Sequence, residues 1–107
     1  MVSSRLLYPE ARSAVARAGR SERLSSARLS AVRAGVERLW EDVDAIDVSD
    51  DLARRAGDLA EDHGLRAYDA VHLASALAVA DAETVLVAAD RALVDAARAL
   101  ELSTAAL

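Results

Sequence analysis

The chain has no cysteine, no phenylalanine and no lysine. Without cysteine there is no disulfide and no thiolate ligand, so any metal must be held by oxygen or by the two histidines, His63 and His72. One tryptophan and two tyrosines are the whole aromatic complement, which leaves Ala, Leu and Val to fill the interior and points to helices packed closely through alanine. No stretch approaches the roughly 18 apolar residues of a membrane span, and the N-terminus lacks the basic-then-apolar layout of a signal peptide. The expectation is a cytoplasmic protein with no membrane association. Every basic residue is arginine, which reads as codon composition more than as recognition chemistry.

What is present suffices for one small domain over residues 1–107. The formal net charge of −5 is unevenly spread. Residues 1–40 hold eight Arg against three Glu, while residues 41–107 hold five Arg against fifteen acids. The first third can face phosphates; the remainder can do so only with a cation between.

The residue pattern alternates helices with short apolar strands. Ser3 and Ser4 can cap a first helix carrying Leu6, Leu7, Glu10 and Ala14, with Pro9 in its first turns and a stop near Gly19. A second helix is expected from Ser25 or Ser26 to Trp40, with Leu29, Val32, Val36, Leu39 and Trp40 as its apolar stripe. A short strand over 45–48 precedes Ser49, an N-cap followed by Asp50 and Asp51 where the helix dipole favours anions. Leu52, Ala56 and Leu59 are that helix's buried face, and His63 and Gly64 end it. A helix over 67–80, a clear strand over 84–88 and a last helix over 91–100 follow, with a weak strand in the tail 102–107. Such alternation implies an α/β sandwich with a parallel sheet.

Two isolated acids occupy informative places. Asp69 is the only acid of LRAYDAVHLASAL, residues 65–77, and falls in the first turn of its helix. Asp90 follows the apolar strand of VLVAADRAL, residues 85–93. Strand ends are where α/β proteins keep their sites. Bland readings stand beside these: Asp69 can simply favour the positive end of its helix, Asp90 can be an N-cap, and Glu10 can be an exposed helix acid paired with Arg12. His72, three residues after Asp69, could join it on a metal, but reads better as a packed or hydrogen-bonded histidine. Arg12, Arg17 and Arg20 could touch RNA or a protein partner along the first helix, although a solvated face is the simpler reading.

LRAYDAVHLASAL, VLVAADRAL and SSRLLYPEARSAV, residues 3–15, occur in the order of three motifs of the PIN domains, and the chain resembles the VapC-type toxins among them. The resemblance covers almost the whole chain. It implies a PIN-like three-layer sandwich, a short parallel sheet flanked by helices, with Glu10, Asp69 and Asp90 as the second, third and fourth acids of the catalytic, metal-binding set. It further implies carboxylate-only ligation of Mg²⁺ or Mn²⁺, hydrolysis of RNA phosphodiester bonds, a cognate VapB-type antitoxin and a homodimer. Where the family has Thr or Ser two residues before its fourth acid, this chain has Ala88. The family opens with a strand ending in its first acid and then a helix, and residues 1–107 begin after both, so the expectation is a PIN domain partial at its N-terminus.

Carboxylates suit that chemistry on independent grounds. Hydrolysing a phosphodiester means bringing water to an anion and stabilising charge on a leaving oxygen, and hard divalent cations held by carboxylates do both. Several acids in one cleft also repel one another unless a cation neutralises them. The competing expectation is a catalytically degenerate PIN fragment serving as a dimerising or antitoxin-binding module. A small helical scaffold with no site is the weakest reading.

Overall fold

The computed structural model describes residues 1–88 and 90–106, so Ala89 of VLVAADRAL and Leu107 of the expected tail strand lie outside the described residues. The chain is α/β, with short parallel strands between helices, and divides into two compact units, Met1–Ile46 and Asp47–Leu107.

The first unit runs β1 (Val2–Ser4), α1 (Leu7–Arg20), α2 (Ser26–Glu41) and β2 (Asp44–Ile46). β1 and β2 pair in parallel, with Val2 opposite Asp44 and Ser4 opposite Ile46. Ser3 and Ser4 are therefore strand residues and buried, not the expected caps of the first helix. The helix starts later, at Leu7, and its N-cap residue Leu6 makes no side-chain cap. Ser4 Oγ instead accepts the Leu6 N–H at 3.1 Å and shapes the turn from strand to helix. Pro9 is the third residue of α1, where its missing N–H would have had no helical partner. α2 begins as expected: Ser25 Oγ accepts the Arg28 N–H at 3.3 Å.

α1 and α2 pack on each other without burying any residue fully. The apolar stripe expected on α2 is partly uncovered, with Val32 40% and Leu39 64% exposed. Polar and aromatic contacts join the two helices. Tyr8 donates its hydroxyl hydrogen to Glu37, and Arg12 donates to Tyr8 Oη at 2.6 Å and to Glu37 Oε1 at 3.1 Å. The Tyr8 and Trp40 rings lie 5.5 Å apart between centroids. Residues 8 and 12 are one helical turn apart, so they present one face of α1 to α2.

The second unit runs α3 (Asp50–His63), α4 (Ala67–Val79), β3 (Val85–Ala88), α5 (Arg91–Ala99) and β4 (Ser103–Ala106). Ser49 caps α3, its Oγ accepting the Leu52 N–H at 3.1 Å. Gly64 ends α3 in the left-handed region at φ 64°, and the Leu65 N–H turns back to the Ala60 carbonyl at 3.2 Å. α3 packs on α4, and α4 on α5. β3 and β4 pair in parallel from Val85 opposite Ser103 to Ala88 opposite Ala106, so the weak tail signal is a strand. Leu52, Ala56 and Leu59 of α3, Ala70, Leu73 and Ala74 of α4, Leu86 and Ala88 of β3, and Leu93, Ala96 and Ala97 of α5 make the core. Small alanines at these positions let the helices approach closely, as the lack of aromatics implied. Among the described residues, no helix is long and apolar enough to cross a membrane.

Candidate functional site

Asp69 is the third residue of α4. The helix opens from an extended Arg66 with no side-chain cap hydrogen bond, so the first-turn N–H groups favour a negative charge. Gly64 sets where this happens, because its left-handed turn ends α3 three residues before α4 begins. Asp69 is half-buried. One turn on, burial lowers the pKa of His72 from its ordinary value, and the negative charge of Asp69 pulls it partly back up. The His72 ring stacks on Tyr68 with centroids 6.1 Å apart and planes 16° from parallel, and its Nδ1 is buried with no hydrogen-bond partner among the described residues. Of the two arrangements expected for His72, packed or hydrogen-bonded, the stacked ring is the packed one.

Asp90 lies two residues beyond the end of β3 and is exposed. It is the N-cap of α5, its Oδ1 accepting the Leu93 N–H at 3.0 Å, as one of the two sequence readings required. A capping carboxylate at a strand-to-helix junction is compatible with a ligand role, because the cap fixes its direction and leaves it in contact with solvent. Ala88, which stands where the resemblance implies a hydroxyl side chain, is buried at the end of β3 and brings no polar atom there.

Glu10 is the fourth residue of α1 and half-buried. Its expected partner Arg12 is taken by Glu37 and Tyr8; Glu10 instead meets Arg17 at 4.0 Å. Helical geometry explains the exchange. Position 17 lies almost directly above position 10 after two turns, whereas position 12 faces the other side with Tyr8. The three arginines Arg12, Arg17 and Arg20 therefore do not share one side. Arg17 also donates to Ser13 Oγ at 2.8 Å. The Tyr8, Arg12 and Glu37 contacts were not foreseen from the sequence, although the one-turn spacing of Tyr8 and Arg12 was a readable sign that the pair acts together.

Glu10 thus belongs to the first unit, and Asp69 and Asp90 to the second. Carboxylate oxygens at a helix first turn and at a strand end are the donors that a hard divalent cation takes. Among the described residues, no group of three or more His, Asp or Glu side chains stands ready to hold a metal ion.

No family model and no solved structure matches the chain. Two curated proteins do. Ribonuclease VapC45 of Mycobacterium tuberculosis strain CDC 1551 / Oshkosh and Ribonuclease VapC49 of Mycobacterium tuberculosis strain ATCC 25618 / H37Rv are each 42% identical to it over 92 residues, which is 86% of this chain. The chain spans 64% of the length of these relatives. The chain is therefore similar over most of its length to two VapC ribonucleases, in keeping with the resemblance of its motifs.

Proposed function

We propose that the chain is the acid-bearing part of a metal-dependent endoribonuclease of the VapC toxin type, acting on RNA in the cytoplasm. The observation that carries this reading is 42% identity to two ribonucleases over most of the chain. The placement of the acids is compatible with it. Asp69 sits in the first turn of α4, Asp90 caps α5 just after β3, and Glu10 sits in the first turn of α1 beside Arg17. In this reading Glu10, Asp69 and Asp90 are the acids that take Mg²⁺ or Mn²⁺, as the family resemblance implies. The cation supplies charge neutralisation and an activated water for phosphodiester hydrolysis. The chain's own part is to hold the acids: the Leu93 N–H holds the Asp90 carboxylate at the start of α5, the first turn of α4 carries Asp69, and Arg17 lies 4.0 Å from Glu10.

A VapB-type antitoxin and a second copy of the chain are the proposed partners. Val32 and Leu39, the exposed apolar residues of α2, are surface that an added subunit would cover, and light scattering with and without the antitoxin measures that. For the activity, RNA is incubated with the chain in Mg²⁺ or Mn²⁺ and in EDTA, with Asp69→Asn beside it. Cleavage should need the cation and be lost in the variant. EDTA-resistant cleavage, or an Asp69→Asn variant as active as the parent, would refute the reading. A form extended upstream through a strand ending in Asp should cleave faster, because a further carboxylate would complete the ligand set implied by the family.

A further inference from the structure

We propose that the turn joining α1 to α2 is a surface for the phosphate backbone of RNA, with Arg20, Arg23 and Arg28 as its contacts. The inference rests on RNA as the substrate of the proposed activity and names where, away from the acids, the strand is held.

Charge carries it first. Residues 17–28 hold four arginines and one acid, Glu22, in a chain of net charge −5. Arg20 closes α1, Arg23 lies in the turn, and Arg28 is in the first turn of α2, which contains no acid. A Cβ at Gly19 would stand 3.0 Å from the Leu29 side chain, so the end of α1 lies against the start of α2 and the three arginines share one end of the helix pair. All three are exposed. Arg23 donates to the nearby Ser21 Oγ at 2.8 Å, and the side chains of Arg20 and Arg28 have neither a hydrogen bond nor an ion pair among the described residues. Like charges gathered without acids to balance them repel one another, and a polyanion removes that cost.

The kind of surface then selects RNA over a protein. Protein interfaces depend on apolar and aromatic anchors, yet none of the large apolar residues exposed among those described falls within residues 20–28. The turn offers guanidinium groups and the exposed serines Ser21, Ser25 and Ser26, which are the donors that phosphate and sugar contacts use. Position adds to this. Arg20 ends the helix whose first turn carries Glu10, about 15 Å away along the axis, so a strand held at the turn reaches that first turn within a few nucleotides.

Fluorescence anisotropy of the chain with labelled single-stranded RNA in EDTA, over a series of salt concentrations, measures the binding apart from any cation. Each phosphate contact adds about 0.7 to the slope of log affinity against log salt for a single strand, so Arg20→Gln, Arg23→Gln and Arg28→Gln together should lower the slope by about 2. Binding at low salt should weaken by roughly tenfold, to the same extent for RNAs of different sequence. Arg55→Gln, the same charge change on an exposed residue of α3, should alter neither quantity. Lys at all three positions keeps the charges and should keep the parent's slope. An unchanged slope in the Gln triple, an equal loss in Arg55→Gln, or no binding of RNA by the parent would overturn the inference. A polyglutamate peptide held through the same arginines more tightly than RNA of equal charge would assign the turn to an acidic protein and overturn it too. Binding in EDTA uses none of the acids, so a parent that binds RNA through the turn but cleaves none with Mg²⁺ or Mn²⁺ would uphold the surface and count against the ribonuclease reading alone.

Discussion

At the residue scale, Asp90 has one observed role and one proposed role that substitution can separate. Its Oδ1 caps α5, and the proposed activity also gives its charge to a cation. Asn caps about as well as Asp but carries no charge, whereas Ala does neither. Asp90→Asn should therefore melt close to the parent and lose most RNA cleavage. Asp90→Ala should lose cleavage and also about 1 kcal/mol of stability. Urea unfolding beside an RNA cleavage assay reads both, and full activity in Asp90→Asn would leave Asp90 a cap alone. His72 gives a pH signature. Burial holds its pKa below the ordinary 6.5, against the partial opposition of Asp69. The unfolded chain then binds the proton first, so stability falls as pH drops below about 6.5 toward the lower folded value and changes no further from this group beneath it. In metal-free buffer, urea unfolding at several pH values should show a shallower loss across that window in His72→Gln than in the parent. Identical slopes would mean that the buried imidazole does not differ between the folded and unfolded chain.

At the element scale, Gly64 decides where α3 stops and so where α4 presents Asp69. Its φ of 64° is unfavourable for a residue with a Cβ, yet nothing lies within 4 Å of the position that a Cβ would take. The cost of Gly64→Ala is thus a backbone cost of about 1–2 kcal/mol, and Gly64→Asn should cost less because Asn tolerates this region. Chemical denaturation ranks the three; an alanine variant as stable as the parent would show that the turn relaxes out of the left-handed region. That ending was legible because glycine's signal is local, and so were Ser25, Ser49 and Asp90 as caps. The strands were less so. β1 has three residues and β4 four, and each exists by pairing with a segment far along the chain, so neither carries a period of its own to read. Ser3 and Ser4 were misread for that reason: beside a helix, two serines look like caps until a distant strand claims their backbone. Glu10, Asp69 and Asp90 could be singled out from motifs, and helical spacing alone sets Glu10 beside Arg17 and away from Arg12, but the residue that takes Arg12, Glu37, comes from α2, which no local pattern of α1 reveals.

At the scale of the whole molecule, the two units differ in how they are held. The second has an apolar core in which Leu73 and Ala97 are fully buried and Ala70 and Ala74 nearly so. In the first, the buried residues are Ser3 and Ser4, and the helix pair leans on half-exposed contacts such as Arg12 with Glu37. Exposed ion pairs contribute little, typically below about 1 kcal/mol, while each fully buried leucine contributes about 1.5–3 kcal/mol. Local opening should therefore be easier in α1 and α2 than in α3, α4 and α5. Amide hydrogen exchange followed by mass spectrometry should show α1 and α2 exchanging well before the helices of the second unit. Glu37→Ala should hasten exchange in α1 and α2 and leave α3 to α5 unchanged. Adding Mn²⁺ should slow exchange in the first turns of α4 and α5, where Asp69 and Asp90 sit, and that slowing should be absent in Asp69→Asn. Uniform protection along the chain would mean that α1 and α2 unfold together with the second unit, so that the contacts within the helix pair do not set its stability.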